Sequence, residues 1–373
     1  MKKYIGHIDW FIAISVIGLM FFSLAFVYSA SAPQAEMIYQ TQDYYFSSHA
    51  WKVAIGIVVM YVFMLVDYRF WKKISLAVII VAVLLLLIAL ILGLSDKDPS
   101  RWLKLGFTRF QPSEFAKFAL ILHLPVLLER HKNYIKDFQV GLLPLVLWTG
   151  TICLLIVLQP SISTTIIIML IAFMMMFIGN ANILHLSGLF AVFISIIISY
   201  AFLVWKYPVG RLQAFLGTAA ANDIERLTHQ SSQSLIALGS GGIFGLGPGN
   251  SKQAYHFLPE PYGDFLFSII GEEYGFLVIL AIIAVFVIIL WRGLKAAKRA
   301  PDLFGYYLAS SIIITICLYA FVNMGVNCRL LPVTGQPLPF ISYGGSAILF
   351  YCAAIGILLN ISAQAGTYPR KKK

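Results

Sequence analysis

From Phe138 to Trp205 the chain runs for 68 residues without one Asp, Glu, Lys or Arg. No other feature narrows the fold as much. A membrane-spanning helix needs about 20 apolar residues, so this stretch holds three. Gln159-Pro160-Ser161 and Gly179-Asn180-Ala181-Asn182 are the turns between them. The expected spans here are about 140–158, 161–178 and 185–205.

The rest of the chain follows suit. Its 373 residues are 60% hydrophobic and 12% charged, against about 25% charged in a soluble domain. The expected fold class is all-α, a polytopic membrane protein forming one domain over 1–373. Further spans are expected at about 10–31, 49–66, 74–94, 113–128, 265–291, 304–325 and 340–361, ten in all. Lys2 and Lys3 precede a long apolar run, and Ala30-Ser31-Ala32 has the look of a signal cleavage site. The run exceeds the roughly 7–15 residues of a signal peptide's core, so a retained first span is expected.

Ten spans put both termini on one side. With that side cytoplasmic, 16 of the 27 Lys and Arg fall in inner connectors and in the tail, 362–373. The loop 206–264, between spans 7 and 8, then lies outside with four. The net charge of +11 fits this sorting better than nucleic acid as a partner. It also suits anionic headgroups or a lipid bearing a pyrophosphate. Cys153, Cys317, Cys328 and Cys352 are isolated, form no CxxC pair and read as small hydrophobes.

One segment breaks the apolar pattern. His229 to Gly275 holds six glycines between Gly239 and Gly249, three prolines, and Lys252, Glu260, Asp264, Glu272 and Glu273. An ionised carboxylate is costly to bury, so acids beside a span point to function. The glycine run lacks GxxxxGK[ST] and is no phosphate loop for ATP. Its glycines let backbone approach a ligand or a helix closely. Asp264 stands at the mouth of span 8 and is the best catalytic candidate. Glu272 lies eight residues deeper, about 12 Å at 1.5 Å per residue.

Glu114 and Lys117 share a face at the start of span 4. They read either as a structural ion pair or as the lining of a polar path. Arg101, Lys104 and Arg109 precede them on the outer side, as headgroup contacts or as a clamp for phosphate. Prolines open spans 4, 6, 8 and 10, either as plain helix starts or as four N-termini that converge on one outward cavity and favour an anionic ligand. His123 and His185 stand alone on apolar spans and read as structural.

Four stretches together resemble the SEDS family of bacterial shape, elongation and division proteins, of the FtsW and RodA type. They are RWLKLGFTRFQPSEFAKFAL (101–120), RLQAF (211–215), QSSQSLIALGSGGIFGLGPGNSKQAYHFLPEPYGDFLFSIIGEEYG (230–275) and LLPVTGQPLPFISYGGSA (330–347). The wording GPGNSKQ and IIGEEYG leans towards the division type. The resemblance implies a ten-span peptidoglycan glycosyltransferase that polymerises lipid II at the outer leaflet of the bacterial cytoplasmic membrane. It also implies pairing with a class B penicillin-binding transpeptidase. The family's catalytic acid falls on Asp264. Arg101, Glu114, Lys117 and Glu260 fall on its polar cavity, and Lys252 and Glu272 join them as candidate substrate contacts. Two positions depart from the family pattern. Ser161 replaces the acid of QPDLGT, and Arg329 stands where glycine is usual.

The chemistry implied is inverting glycosyl transfer. Asp264 would take the acceptor hydroxyl's proton, and cations would steady the departing diphosphate. Lys117 and Arg101 could serve, as could a divalent cation, Mg or Mn, held by Asp264 and Glu260. Two rivals share the same features: a lipid II flippase or transporter, and a non-catalytic scaffold for the transpeptidase.

Overall fold

The apolar runs fold as helices, which satisfy their own backbone hydrogen bonds where no water is at hand. The computed structural model describes residues 8–95, 102–105, 108–159, 161–204, 221–258 and 260–365. In chain order the elements are α1 (Trp10–Tyr39), α2 (Tyr44–Leu65), α3 (Tyr68–Ser95), a hairpin of β1 (Leu103–Leu105) and β2 (Thr108–Phe110), and α4 (Pro112–Arg130). There follow α5 (Leu143–Leu158), α6 (Ile162–Ile178), α7 (Ile183–Val204), α8 (Ala221–Ser240), α9 (Lys252–His256), α10 (Leu266–Lys298), α11 (Leu303–Asn327) and α12 (Ala347–Ala363). A π turn, Phe138–Leu142, leads into α5. The hairpin pairs Leu103 with Phe110 in antiparallel register.

By length and composition α1, α2, α3, α5 with its π turn, α10 and α11 can cross a membrane, and α6, α7 and α12 are shorter apolar helices. Of the other two long helices among the described residues, α4 carries Glu114, Lys117, Glu129 and Arg130, and α8 is mixed polar and apolar. Two expected outlines change. The last helix begins at Ala347 rather than near 340. Pro337 and Pro339 lack amide donors, and Phe340 takes a left-handed φ of 65°. The loop 206–264 is also less open than its length suggests, because α8 and α9 occupy much of its described part.

Capping side chains tie one end of the bundle together. Asp302 accepts from Gly305 N at 2.8 Å, Tyr68 Oη at 2.7 Å and Arg69 Nε at 3.0 Å. Asp9 caps α1 and pairs with Arg292 at 2.8 Å. Lys72 meets Glu129 at 2.5 Å. Asn360 accepts from Tyr68 N and donates to the Met64 carbonyl. The basic connectors around Arg69, Arg130 and Arg292 gather at this end. The opposite end brings together the starts of α4, α6, α10 and α12: Gln111 N donates to Ser346 Oγ at 3.2 Å, and Gln336 Nε2 to Thr164 Oγ1 at 3.0 Å.

The long helix α10 is broken at Gly275, whose φ of 79° and ψ of −178° are not helical. Such a break strands carbonyls before it and amides after it, and inside an apolar bundle each needs a partner. The glycine run supplies all four. Leu246 N and Gly247 N donate to the Glu272 and Glu273 carbonyls, each at 2.9 Å. Phe276 N donates to Gly242 O at 2.9 Å, and Leu277 N to Ile243 O at 3.4 Å. The fit is backbone on backbone. A Cβ at Gly245 would collide with the Glu273 carbonyl, and one at Gly275 with Gly245 N and Ile243 O. What the glycines approach closely is thus a helix.

Candidate functional site

Asp264 sits half-buried just before α10. Two asparagines on α11, four residues apart and so on one face, fix its backbone. The Asn323 and Asn327 amides donate to the Asp264 carbonyl at 2.8 and 3.0 Å. Asn323 Nδ2 also reaches the Gln336 carbonyl at 2.7 Å, so one amide pins the acid's turn to the 328–346 segment. Asn327 Oδ1 accepts from Ser268 N at 3.2 Å and Ser268 Oγ at 2.7 Å, capping the first turn of α10. The Asp264 carboxylate faces Gly335, where a Cβ would lie 3.4 Å from Oδ2. The acid is held by its main chain, with its oxygens beside a residue that has no side chain.

A tyrosine cluster walls this mouth. The Tyr262 ring lies 4.4 Å from Tyr45 and 5.4 Å from Tyr343, centroid to centroid, and Tyr343 N donates to the Tyr262 carbonyl. Burial, then the bonded Tyr45 hydroxyl, pushes the Tyr262 phenol above its ordinary range, so it stays neutral. Tyr343 shares a hydrogen bond with Ser48 Oγ at 3.2 Å. Lys52 Nζ lies 4.0 Å from the centroid of the same ring.

Glu114 and Lys117 are 4% and 2% exposed. Their ion pair is 2.6 Å long, and Lys117 Nζ also donates to Tyr351 Oη at 2.8 Å. The Tyr319 and Tyr351 rings flank the ammonium at 4.0 and 4.4 Å. The pair is therefore sealed between α4, α11 and α12.

The other sequence candidates are spread more widely. Glu260 is exposed, with a φ of 49°, in the turn before Asp264. Lys252 is exposed at the first position of α9. Glu272 is fully buried and accepts from Ser251 Oγ, Lys252 N, Gln253 N and Ser240 Oγ. It thereby caps α9 and fastens it to α10. Glu273 does the same towards α1, accepting from Ser29 Oγ at 2.7 Å, while Gly249 N donates to that hydroxyl at 3.0 Å. Arg101 lies outside the described residues. Lys104 and Arg109 pair across the hairpin register.

At the two departures from the family pattern, Ser161 precedes α6 and bonds Thr164 Oγ1 at 2.8 Å. Arg329 holds a φ of 54°, the left-handed conformation that closes helices most readily with glycine. Among the described residues no three His, Cys, Asp or Glu gather as metal ligands. His123 is buried against Ser75 and Trp148, and the four cysteines are free. Asn323, Asn327 and Lys52 are site residues that hydrophobic periodicity passes over. Their signals are two asparagines four apart in NMGVN and a lysine inside an apolar span.

Residues 9–367 match the FtsW, RodA and SpoVE family, described as "Cell cycle protein". A "Probable peptidoglycan glycosyltransferase FtsW" of Geobacter sp. (strain M18) is 34% identical, covering 98% of this chain and 99% of that one. "Stage V sporulation protein E" of Bacillus subtilis (strain 168) is 34% identical, covering 95% and 96%. Two solved structures share the fold. One, from "Structural coordination of polymerization and crosslinking by a peptidoglycan synthase complex", has a TM-score of 0.76 at 23% identity, covering 95% of this chain and 97% of that one. The Thermus thermophilus Rod shape determining protein RodA has a TM-score of 0.69 at 22% identity, covering 97% and 99%.

Proposed function

The chain belongs to the FtsW, RodA and SpoVE family of cell cycle proteins, and from that premise we propose that it is a peptidoglycan glycosyltransferase polymerising lipid II. It works at the outer face of the bacterial cytoplasmic membrane, with ten spans and both termini inside. Supporting that orientation, the bundle end opposite Asp264 collects the basic connectors, as cytoplasmic ends do.

The observation that carries the reading is Asp264, an acid held by its backbone to Asn323 and Asn327 with its carboxylate at the mouth. In the reaction Asp264 takes the proton of the acceptor hydroxyl as that oxygen attacks the anomeric carbon. The bond to the lipid diphosphate breaks on the opposite face, inverting the anomeric centre. An ordinary aspartate, with a pKa of about 3.9, is a weak base, so it acts as the proton is lost in the transition state. Base catalysis of this kind supplies roughly 10²–10⁴-fold. The remainder comes from positioning and from cations that face the diphosphate.

Arg101, Lys252 and Glu260 are substrate contacts at the rim. Glu114 and Lys117 form the floor beneath it. Glu272 acts on the substrate through α9, which carries Lys252. The partner is a class B penicillin-binding transpeptidase that crosslinks the glycan, and the role leans towards division.

The test is the product formed from lipid II by the purified protein with its partner in detergent, where there are no two sides. Glycan strands are expected. A lipid II flippase would need a sealed vesicle, and a scaffold would make no glycan in either setting, so unreacted lipid II would overturn the reading.

A further inference from the structure

Lys52 is a cation within an apolar helix long enough to cross a membrane. It is eight residues into α2, about 12 Å along the axis from Tyr44, and its neighbours Trp51 and Ile55 are exposed as a lipid face would be. Ionisable groups so placed are kept for a task. Every ion pair among the described residues involves Arg69, Lys72, Lys117 or Arg292. Lys52 thus has no carboxylate within ion-pair reach among them.

A lysine with no other role would extend its stem to bring the ammonium up to the headgroups. Lys52 instead lays its ammonium over Tyr343, 4.0 Å from the ring centroid. That ring faces Tyr262, two residues from Asp264. Tyr343 and Ser48 share one hydrogen bond between two hydroxyls, which leaves one O–H to give away. An ammonium and a spare hydroxyl, beside the Tyr262 ring of the turn that carries Asp264, make a receptor for an oxyanion carried by a lipid.

We infer that Lys52, with Ser48 and Tyr343, binds a phosphate oxygen of a lipid-borne diphosphate. That the lipid is the glycosyl donor rests on the function proposed above; that the site takes a lipid phosphate does not. The same chemistry would accept the phosphate of a bulk phospholipid, so the test separates the two.

Undecaprenyl diphosphate and phosphatidylglycerol are titrated separately onto purified wild type, Lys52→Met, Lys52→Arg and Asp264→Asn. Loss of one charge-assisted contact weakens binding about tenfold or more. The diphosphate is expected to bind at least about tenfold more weakly to Lys52→Met, and within about twofold of wild type to Lys52→Arg and Asp264→Asn. Phosphatidylglycerol affinity should not change. In turnover Lys52→Met should lower kcat/KM by at least a similar factor. If Lys52→Met does not fold, Ser48→Ala and Tyr343→Phe carry the test, each expected to weaken diphosphate binding about threefold. Wild-type diphosphate affinity in Lys52→Met, or in both hydroxyl variants, overturns the proposal. So does a loss confined to phosphatidylglycerol, which assigns the site to a bulk lipid. Intact lysine-dependent diphosphate binding without any polymerisation would sink the enzymatic reading and leave the site standing.

Discussion

Replacing Lys117 with methionine keeps the bulk of its side chain and removes its charge. Glu114 then loses its one ion-pair partner at a position 4% exposed. Breaking a buried pair by removing one member costs about 3–5 kcal/mol. The hydrogen bond to Tyr351 Oη adds about 1 kcal/mol. The α4 dipole returns less than about 1 kcal/mol, because Glu114 is in the first helical turn. The expected loss in unfolding free energy is therefore about 3–5 kcal/mol. Neutralising both partners as Glu114→Gln with Lys117→Met leaves no stranded charge, and the double variant should lose no more than about 2 kcal/mol. The assay is a double-mutant cycle on detergent-solubilised protein, read from denaturant midpoints, with an expected coupling of at least about 2 kcal/mol. Single losses that simply add, or a Lys117→Met variant within about 0.5 kcal/mol of wild type, would refute the view that this pair is sealed and mutually dependent. Turnover of the double variant separates roles: stable and inactive assigns the pair to substrate, stable and active to the scaffold.

Gly245→Ala meets both a positive φ and the Glu273 carbonyl. It should loosen the four hydrogen bonds across the α10 break, a loss of about 2–4 kcal/mol. Hydrogen exchange at Phe276 and Leu277 should speed up, and unchanged exchange would contradict the bridging role. Arg329→Gly relieves a left-handed residue and should stabilise the protein by about 1 kcal/mol; a fall in the unfolding midpoint would show that the Arg329 side chain contributes to stability. Asn327→Ala removes the tie between α11 and the Asp264 turn and should lower kcat about tenfold with KM nearly constant. A KM effect alone would move Asn327 into substrate binding.

Much of the fold is legible in the chain because lipid is a severe solvent. The charge-free run 138–205, the basic connectors and the turn residues locate helices, and helices are found there. The acid at the mouth of span 8 and the pair three apart on α4 are legible because polar groups beside apolar runs stand out. The break at Gly275 is not, since YGFLVILAII reads as one uninterrupted apolar helix. The missing hydrogen bonds come from residues some thirty positions earlier, and no local pattern records that. A search for long apolar runs also passes over α8, because LTHQSSQSLIALGS mixes polar with apolar residues; its Ser234 bonds Ser268 Oγ of α10 and the Asn327 carbonyl of α11. Glu272 shows the same limit from the other side. Sequence marks it as an acid in a span, and only the fold reveals that Ser251, Lys252 and Gln253 already surround it.

The central claim rests on Asp264 as the group that accepts the acceptor's proton. The most direct measurement is single-turnover polymerisation of lipid II by Asp264→Asn beside wild type, with donor affinity determined on the same preparations. The variant is expected to bind the donor as wild type does and to form glycan roughly 10²–10⁴-fold more slowly. Glycan formation at the wild-type rate with intact binding would contradict it.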